Sequence, residues 1–379
     1  MNIAVVTYAG CVRCIKECRM LASAGHNLWL FSHFQPDAPP DVKLEDVFMQ
    51  MSFYNTKEEL YELLVGLEFI ELVHVHNEPS WMVNVARAAG HKKVVLDAHD
   101  LNIVRYGWEK ALEMGGEDVN AIGDCDGLIV PCDRYIDIIE EQGKLRVPIL
   151  TLYSYVNEED FAEGENDLGG IAYGGSIYRP ERNHPMPYRI YDNVARHFAD
   201  RGIPFHIYPG RGYEKHMPFY QSLGSKVHGT LDQKNWIKEL SRHDWGFCGS
   251  PIRHRQWDNT LSNKLFDYIA AGIPSFIYQA KATEDRFGLR GIGVVVESLK
   301  DIEDYYYDKD LRFACRNEIL EKRKKEWTME SQLPALDKFY DEVMGTNLEP
   351  LLEQKEEDKS IVAMNSVGEC AADTEKIGE

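Results

Sequence analysis

The stretch "SNKLFDYIAAGIPSF", residues 262–276, decides how the rest of the chain is read. Leu261, Leu265 and Ile269 recur at helical spacing, with Phe266 at the margin of their stripe. Asn263, Lys264, Asp267 and Ala271 fall on the opposite side. Gly272 supplies a C-terminal stop, and Pro274 prevents continuation. The run "PSFIY" (274–278) then reads as a buried strand. A solvated face carrying a Lys264–Asp267 pair is one explanation of the polar side. The alanines beside it, and the strand that follows, support another: a helix whose N-terminus faces a ligand crevice. Free N–H groups at such an end attract phosphate, and Lys264 adds a full charge. Asp267, one turn further, can accept hydrogen bonds from the two hydroxyls of a ribose.

Outward from this stretch, short apolar runs form two series. The first is "IAVV" (3–6), "LWLF" (28–31), "LVHVH" (72–76), "VVLDAH" (94–99), "GLIV" (127–130) and "PILTL" (148–152). The second is "IAYGG" (171–175), "FHIY" (205–208), "KVHG" (226–229), "WGFC" (245–248), "PSFIY" and "GVVVE" (293–297). Each is too short for a helix, and many precede segments of helical length. That is the pattern of parallel α/β sheets. Two doubly wound, Rossmann-like domains facing across a cleft are therefore expected, with the polar segment 156–170 as linker and a ligand at the carboxyl ends of the strands.

Acidic residues outnumber basic ones by 62 to 42, a formal charge of −20, which disfavours nucleic acid or anionic lipid as the main partner. No run is long and apolar enough for a membrane span, and "MNIAVVTYAG" reads as a first strand and not a signal peptide. A soluble, cytoplasmic protein follows as the expectation. Cys11, Cys14 and Cys18 have the spacing C-x2-C-x3-C, which invites a metal reading. They share a helix face with Ile15, Leu21 and Ala22, away from Arg13, Lys16, Glu17 and Arg19, so buried, reduced core thiols are expected instead. The two histidines of "HVH" (74–76) share a strand face, but "HNEP" offers them no clear third metal ligand. No metal is expected.

With the motifs in place, the chain resembles the GT-B glycosyltransferases, in particular glycosyltransferase family 4 and its relatives. "NKLFDYIAAGIPSF" is similar to their donor-site helix, and the likeness runs along most of residues 1–345. "MNIAVVTYAGCVRCIKECRMLASAGHNLWLFS", "LVHVHNEPSW", "VVLDAHDLN" and "CDGLIVPCDRY" resemble the first domain; "IAYGGSIYRPERN" resembles the opening of the second. The resemblance implies an acceptor-side domain at 1–158 and a donor-side domain at 159–325. It further implies a helix at 326–345 crossing back to the first domain. Residues 346–379 read as an acidic, disordered tail.

The family resemblance assigns the donor ribose to Asp267 and the donor diphosphate to Lys264, with Ser262 and Asn263 as further donor-binding residues. In the loop "GSIYRPER", Arg182 stands at a lysine position of the family's clamp, while Ser176 stands where the family has arginine, with Arg179 as a substitute. Asn259 replaces a glutamate found near the transferred sugar. Gly10 belongs to a loop that approaches the donor phosphates, and His99 matches a histidine facing the donor sugar. Asp100 beside it is a second candidate catalytic group. The implied activity is transfer of a sugar from a nucleotide-diphosphate sugar to a glycan, lipid-linked or small-molecule hydroxyl acceptor, retaining and metal-independent, with no cofactor beyond the co-substrate. Peripheral membrane contact stays open. Two rivals remain: a GT-B-fold sugar-nucleotide epimerase or hydrolase, and a catalytically degenerate protein that binds a glycan or nucleotide.

Overall fold

The computed structural model describes residues 1–141, 146–164 and 166–345. The acidic tail at 346–379 lies outside the described residues. Within them are two sheets, each wholly parallel. The first holds β1 (Asn2–Ala9), β2 (Asn27–Phe34), β3 (Gln50–Phe53), β4 (Leu72–His76), β5 (Val94–Asp97), β6 (Gly127–Val130) and β7 (Ile149–Thr151), in the order β3-β2-β1-β4-β5-β6-β7. The second holds β8 (Ile171–Gly175), β9 (Phe205–Pro209), β10 (Lys226–Val227), β11 (Trp245–Gly249), β12 (Ser275–Tyr278) and β13 (Gly293–Val296), in the order β10-β9-β8-β11-β12-β13. All the apolar runs of the sequence form strands. β3 is the addition: "QMSF" is a short, largely exposed edge strand, too polar to stand out by pattern.

Strand order reverses between β1 and β4 in the first sheet, and between β8 and β11 in the second. Carboxyl ends beside such a reversal leave a crevice between diverging connections, where ligands bind in open α/β sheets. Gly10 and Cys11 follow β1, and Ser176 follows β8, so the two crevices carry residues singled out above.

Six helices position the rest: α1 (Val12–Ser23), α2 (Gln233–Leu240), α3 (Arg255–Asn259), α4 (Asn263–Ala271), α5 (Lys309–Glu326) and α6 (Leu333–Gly345). α4 ends at Gly272, whose φ of 70° is the left-handed conformation that glycine adopts without strain. The segment expected as one helix from 326 to 345 is instead the end of α5, a crossing at 327–332, and α6. Pro334 sits at the second position of α6, where its missing N–H costs no helical hydrogen bond; further inside a continuous helix it would break one. The chain crosses between the sheets twice, and the crossings touch through a parallel bridge between Val156 and Thr328. α6 then packs Leu336, Phe339, Tyr340 and Val343 into the first-sheet core beside Cys14, Cys18 and Leu21.

Candidate functional site

The charged side of α1, away from its cysteine face, is also largely buried. Arg13, Lys16 and Glu17 are all buried. This side packs against the crossing segment and the second domain. The Arg13 guanidinium donates to both oxygens of Asp97, at 3.0 and 3.2 Å, and to the carbonyl of Leu152. Arg19 pairs with Asp160 and Glu159 of the crossing. Lys16 reaches Ser154 O at 3.4 Å and lies 4.0 Å from Asp267 of the other domain. Burial drives the Lys16 ammonium toward deprotonation, and the two aspartates nearby oppose that.

Cys14 and Cys18 are core residues, as their spacing implies, but Cys11 is not. It caps the N-terminus of α1, is partly exposed, and lies with Sγ 3.6 Å from His99 Nδ1. His99 Nε2 is 3.0 Å from Asp97 Oδ2. Burial disfavours a charged imidazole here, yet Asp97 and Cys11 together raise the His99 pKa well above its ordinary value. Burial likewise opposes ionisation of Asp97, but Arg13 and His99 hold it well below the usual carboxylate range. Asp100 is exposed, pairs with Arg105 at 2.9 Å, and accepts from Gln256 of α3 across the cleft at 3.2 Å.

His74 and His76 do stack on one strand face, with ring centroids 4.0 Å apart. The expectation that no further ligands meet them was local. Glu17 from α1 and Asp97 from β5 bring carboxylates to them, and Cys14 and Cys18 also approach His76. In charge terms Arg13 already fills the role of a cation between Asp97 and Glu17.

On the second domain, the Lys264–Asp267 pair of a solvated face does not form. Asp267 is buried and turns to α2, accepting from Gln233 Nε2 at 2.7 Å and Trp236 Nε1 at 3.0 Å. Lys264 turns the other way. Its ammonium lies 5.0 Å from the ring centroid of Tyr173 and 5.7 Å from that of Trp257. It passes so close to Gly175 that a Cβ there would meet Lys264 Cε at 3.2 Å. Lys264, Gly175 and Ser176 thus share one corner at the end of β8. Ser262 is the N-cap of α4 but makes no side-chain hydrogen bond to the helix, and Asn263 is exposed beside it.

The remaining candidates are more scattered. Arg182 is exposed on the loop after β8, and Arg179 pairs there with Glu181. Arg189, not singled out from the sequence, lies near Tyr213, which also neighbours Ser176. Asn259 donates to the carbonyl of Arg255 within α3. Gly10 is pressed against Pro36, where a Cβ would approach to 2.9 Å, and its carbonyl accepts from Asp37 N.

The cleft is closed by direct bonds between domains. Arg255 donates to Val104 O at 2.9 Å, Arg105 to Gln256, and the Tyr135 hydroxyl lies 3.2 Å from Thr260 Oγ1. A cavity of about 920 Å³ opens elsewhere, between residues 159–164 and α2, and none of the candidate residues lines it. The missed members of the site (Arg13, Asp97, Glu17, Lys16) had one sequence signal, the i, i+4 spacing of Arg13 and Glu17.

No family profile and no curated protein matches the chain in sequence. Its structure does match solved ones. Sucrose-phosphate synthase from Thermosynechococcus elongatus aligns with a TM-score of 0.67 at 12% identity, over 90% of this chain and 98% of that one. HepE from Anabaena, in complex with UDP, aligns at 0.66 and 10%, over 89% and 99%. AviGT4, a glycosyltransferase involved in avilamycin A biosynthesis, aligns at 0.59 and 10%, over 91% and 99%. At such identities the likeness establishes architecture: the chain has the GT-B fold, two doubly wound α/β domains facing across a cleft.

Proposed function

We propose that the chain is a glycosyltransferase that moves a sugar from a nucleotide-diphosphate sugar to a hydroxyl acceptor: a glycan, a lipid-linked saccharide or a small molecule. The observation that carries this reading is the corner where Lys264 crosses Gly175 beside the N-terminus of α4. A diphosphate there meets an ammonium group and helix N–H groups that no side chain of its own cap occupies. Growing negative charge on the leaving diphosphate is what such an arrangement stabilises. Arg182 and Arg189 are close in sequence to this loop and add positive charge. HepE, which shares the fold, was solved with UDP bound.

In this reading the basic groups, and not a metal, hold the diphosphate, and no cofactor is assigned beyond the sugar nucleotide. Asp97 and Cys11 favour the charged, hydrogen-donating form of His99 over the neutral form that a base requires. That favours retention of configuration, with His99 beside the transferred sugar, over inversion with His99 as base. Asp100 is the remaining candidate base. No helix among the described residues is long and apolar enough to cross a membrane. Their cysteines are all free, as suits the reducing, cytoplasmic setting that this reading includes.

A screen of nucleotide sugars by thermal shift, followed by calorimetry, tests the corner. Lys264→Ala is expected to weaken nucleoside diphosphate binding by about 1.5–3 kcal/mol, with little change for the nucleoside. Equal affinity of variant and wild type would remove the donor from this corner. A second reading is favoured by two contacts. Asp267 is already engaged by Gln233 and Trp236, and the Asn259 amide is spent on Arg255. Both suit a degenerate donor site that binds a nucleotide without transfer. Mass spectrometry of the reaction separates the readings: donor bound but never consumed indicates a binding protein, and donor consumed without acceptor product indicates an epimerase or hydrolase.

A further inference from the structure

The sequence "CVRC" (11–14) places two cysteines at the N-cap and third position of α1, directly after the first strand of a parallel sheet. The two differ in every physical respect. Cys11 is partly exposed directly after β1, and its sulfur faces the His99 imidazole and the N–H groups of Arg13 and Cys14. Burial raises its pKa, but these groups outweigh that and lower it. Cys14 is fully buried, and a hydrogen bond with Cys18, together with burial, keeps it a thiol. Three residues apart at the head of one helix, the two lie on the same face, where Cβ atoms are about 5–6 Å apart, and a bridge between them requires that gap to close to about 4 Å. His99 is itself fixed by Asp97, and Asp97 by Arg13, so the cation beside Cys11 is held in place from behind.

We propose that Cys11 and Cys14 form a redox-active dithiol that exchanges with low-molecular-weight disulfides. The Cys11 thiolate attacks one sulfur of the disulfide RSSR, that S–S bond breaks, and RS⁻ leaves. Cys14 then attacks the Cys11 sulfur of the mixed disulfide and releases the second RS⁻, while its proton passes to a released thiolate. Cys11 and Cys14 are oxidised together, and RSSR is reduced to RS⁻ and RSH. Oxidation removes one of the two anionic neighbours of His99 and leaves Asp97 as the other, which couples the dithiol to whatever His99 does in the cleft. The proposal does not depend on sugar transfer.

The test uses the full reduced chain. At pH 6, iodoacetamide should label Cys11 about tenfold faster than free cysteine, since an ordinary thiol is almost wholly protonated there. His99→Gln should abolish most of that advantage. With glutathione disulfide, peptide mapping of the wild type should show a Cys11–Cys14 bridge. Cys14→Ser should instead accumulate glutathione on Cys11. Cys11→Ser, at a partly exposed position, should show neither bridge nor glutathione adduct. Cys11 labelling at the rate of free cysteine would overturn the proposal. So would a bridge confined to Cys14 and Cys18, or glutathione uptake by Cys11→Ser.

Discussion

Two buried carboxylates lie on either side of the domain boundary, and their partners differ in kind. Asp97, in the first domain, is surrounded by charge or potential charge: Arg13 on both oxygens, His99 at 3.0 Å and His76 at 3.2 Å. Asp267, in the second, receives two neutral donors from one helix, with Lys16 at 4.0 Å. A fully buried carboxylate needs a nearby positive charge or several donors to remain ionised. Asp97 has both, committed to the frame beneath the cleft. Asp267 has donors that a ligand can replace. The difference separates a carboxylate that holds the structure from one able to hold a substrate.

The largest effect expected is on the first. Asp97→Ala leaves the Arg13 guanidinium buried without its main counter-ion, and breaking a buried pair in that way costs about 3–5 kcal/mol. Chemical denaturation measures it, and a loss under about 1 kcal/mol would show that Glu17 alone can neutralise Arg13. Asp267→Ala is expected to be milder for folding, because it strands two neutral donors and leaves Lys16 with Asp160 still nearby, but sharper for ligand. The affinity of a nucleoside diphosphate should fall by about 1.5–3 kcal/mol, with loss of any preference for ribose over 2′-deoxyribose. A ribose preference that survives the substitution would put Asp267 in the same structural class as Asp97 and end the comparison.

The smallest effect expected is on pH dependence. The pKa of Asp97 is depressed by folding, so its contribution is present above the unfolded value near 4 and is lost as pH falls below it. The pKa of His99 is raised, so its contribution is complete below about 6.5 and is lost as pH rises through the folded value. Stability from this pair should therefore peak between the two limits. In thermal melts across pH, His99→Gln should flatten the alkaline side and reduce the acidic side without removing it, since Arg13 still depresses the Asp97 pKa. A variant whose alkaline decline matches wild type would show that His99 is not charged in the folded chain.

Much of the architecture was legible because parallel sheets write themselves as short apolar runs with helical segments between. β3 escaped because an edge strand carries polar residues that interrupt the pattern. At the site, α4, its glycine stop and the placement of Lys264 at its N-terminus could be read from a helical wheel. The direction in which Lys264 and Asp267 turn could not. Lys264 goes to Tyr173 and Trp257, and Asp267 to α2, so two residues three apart on one helix have no contact of the kind their spacing suggested.

Periodicity is local, so it was enough for every strand but β3, for α4 and for the buried position of Cys14 and Cys18. Burial of charge is not local. Arg13 and Asp97 are separated by 84 residues, and Asp267 by 34 and 31 from its two donors. A helix face rich in Arg, Lys and Glu reads as solvated until the fold sets a carboxylate, a carbonyl and a second domain against it. Once those neighbours satisfy the charges, the same face is core, and the cysteine at the head of the helix, instead of being core, becomes the partly exposed thiol beside the histidine.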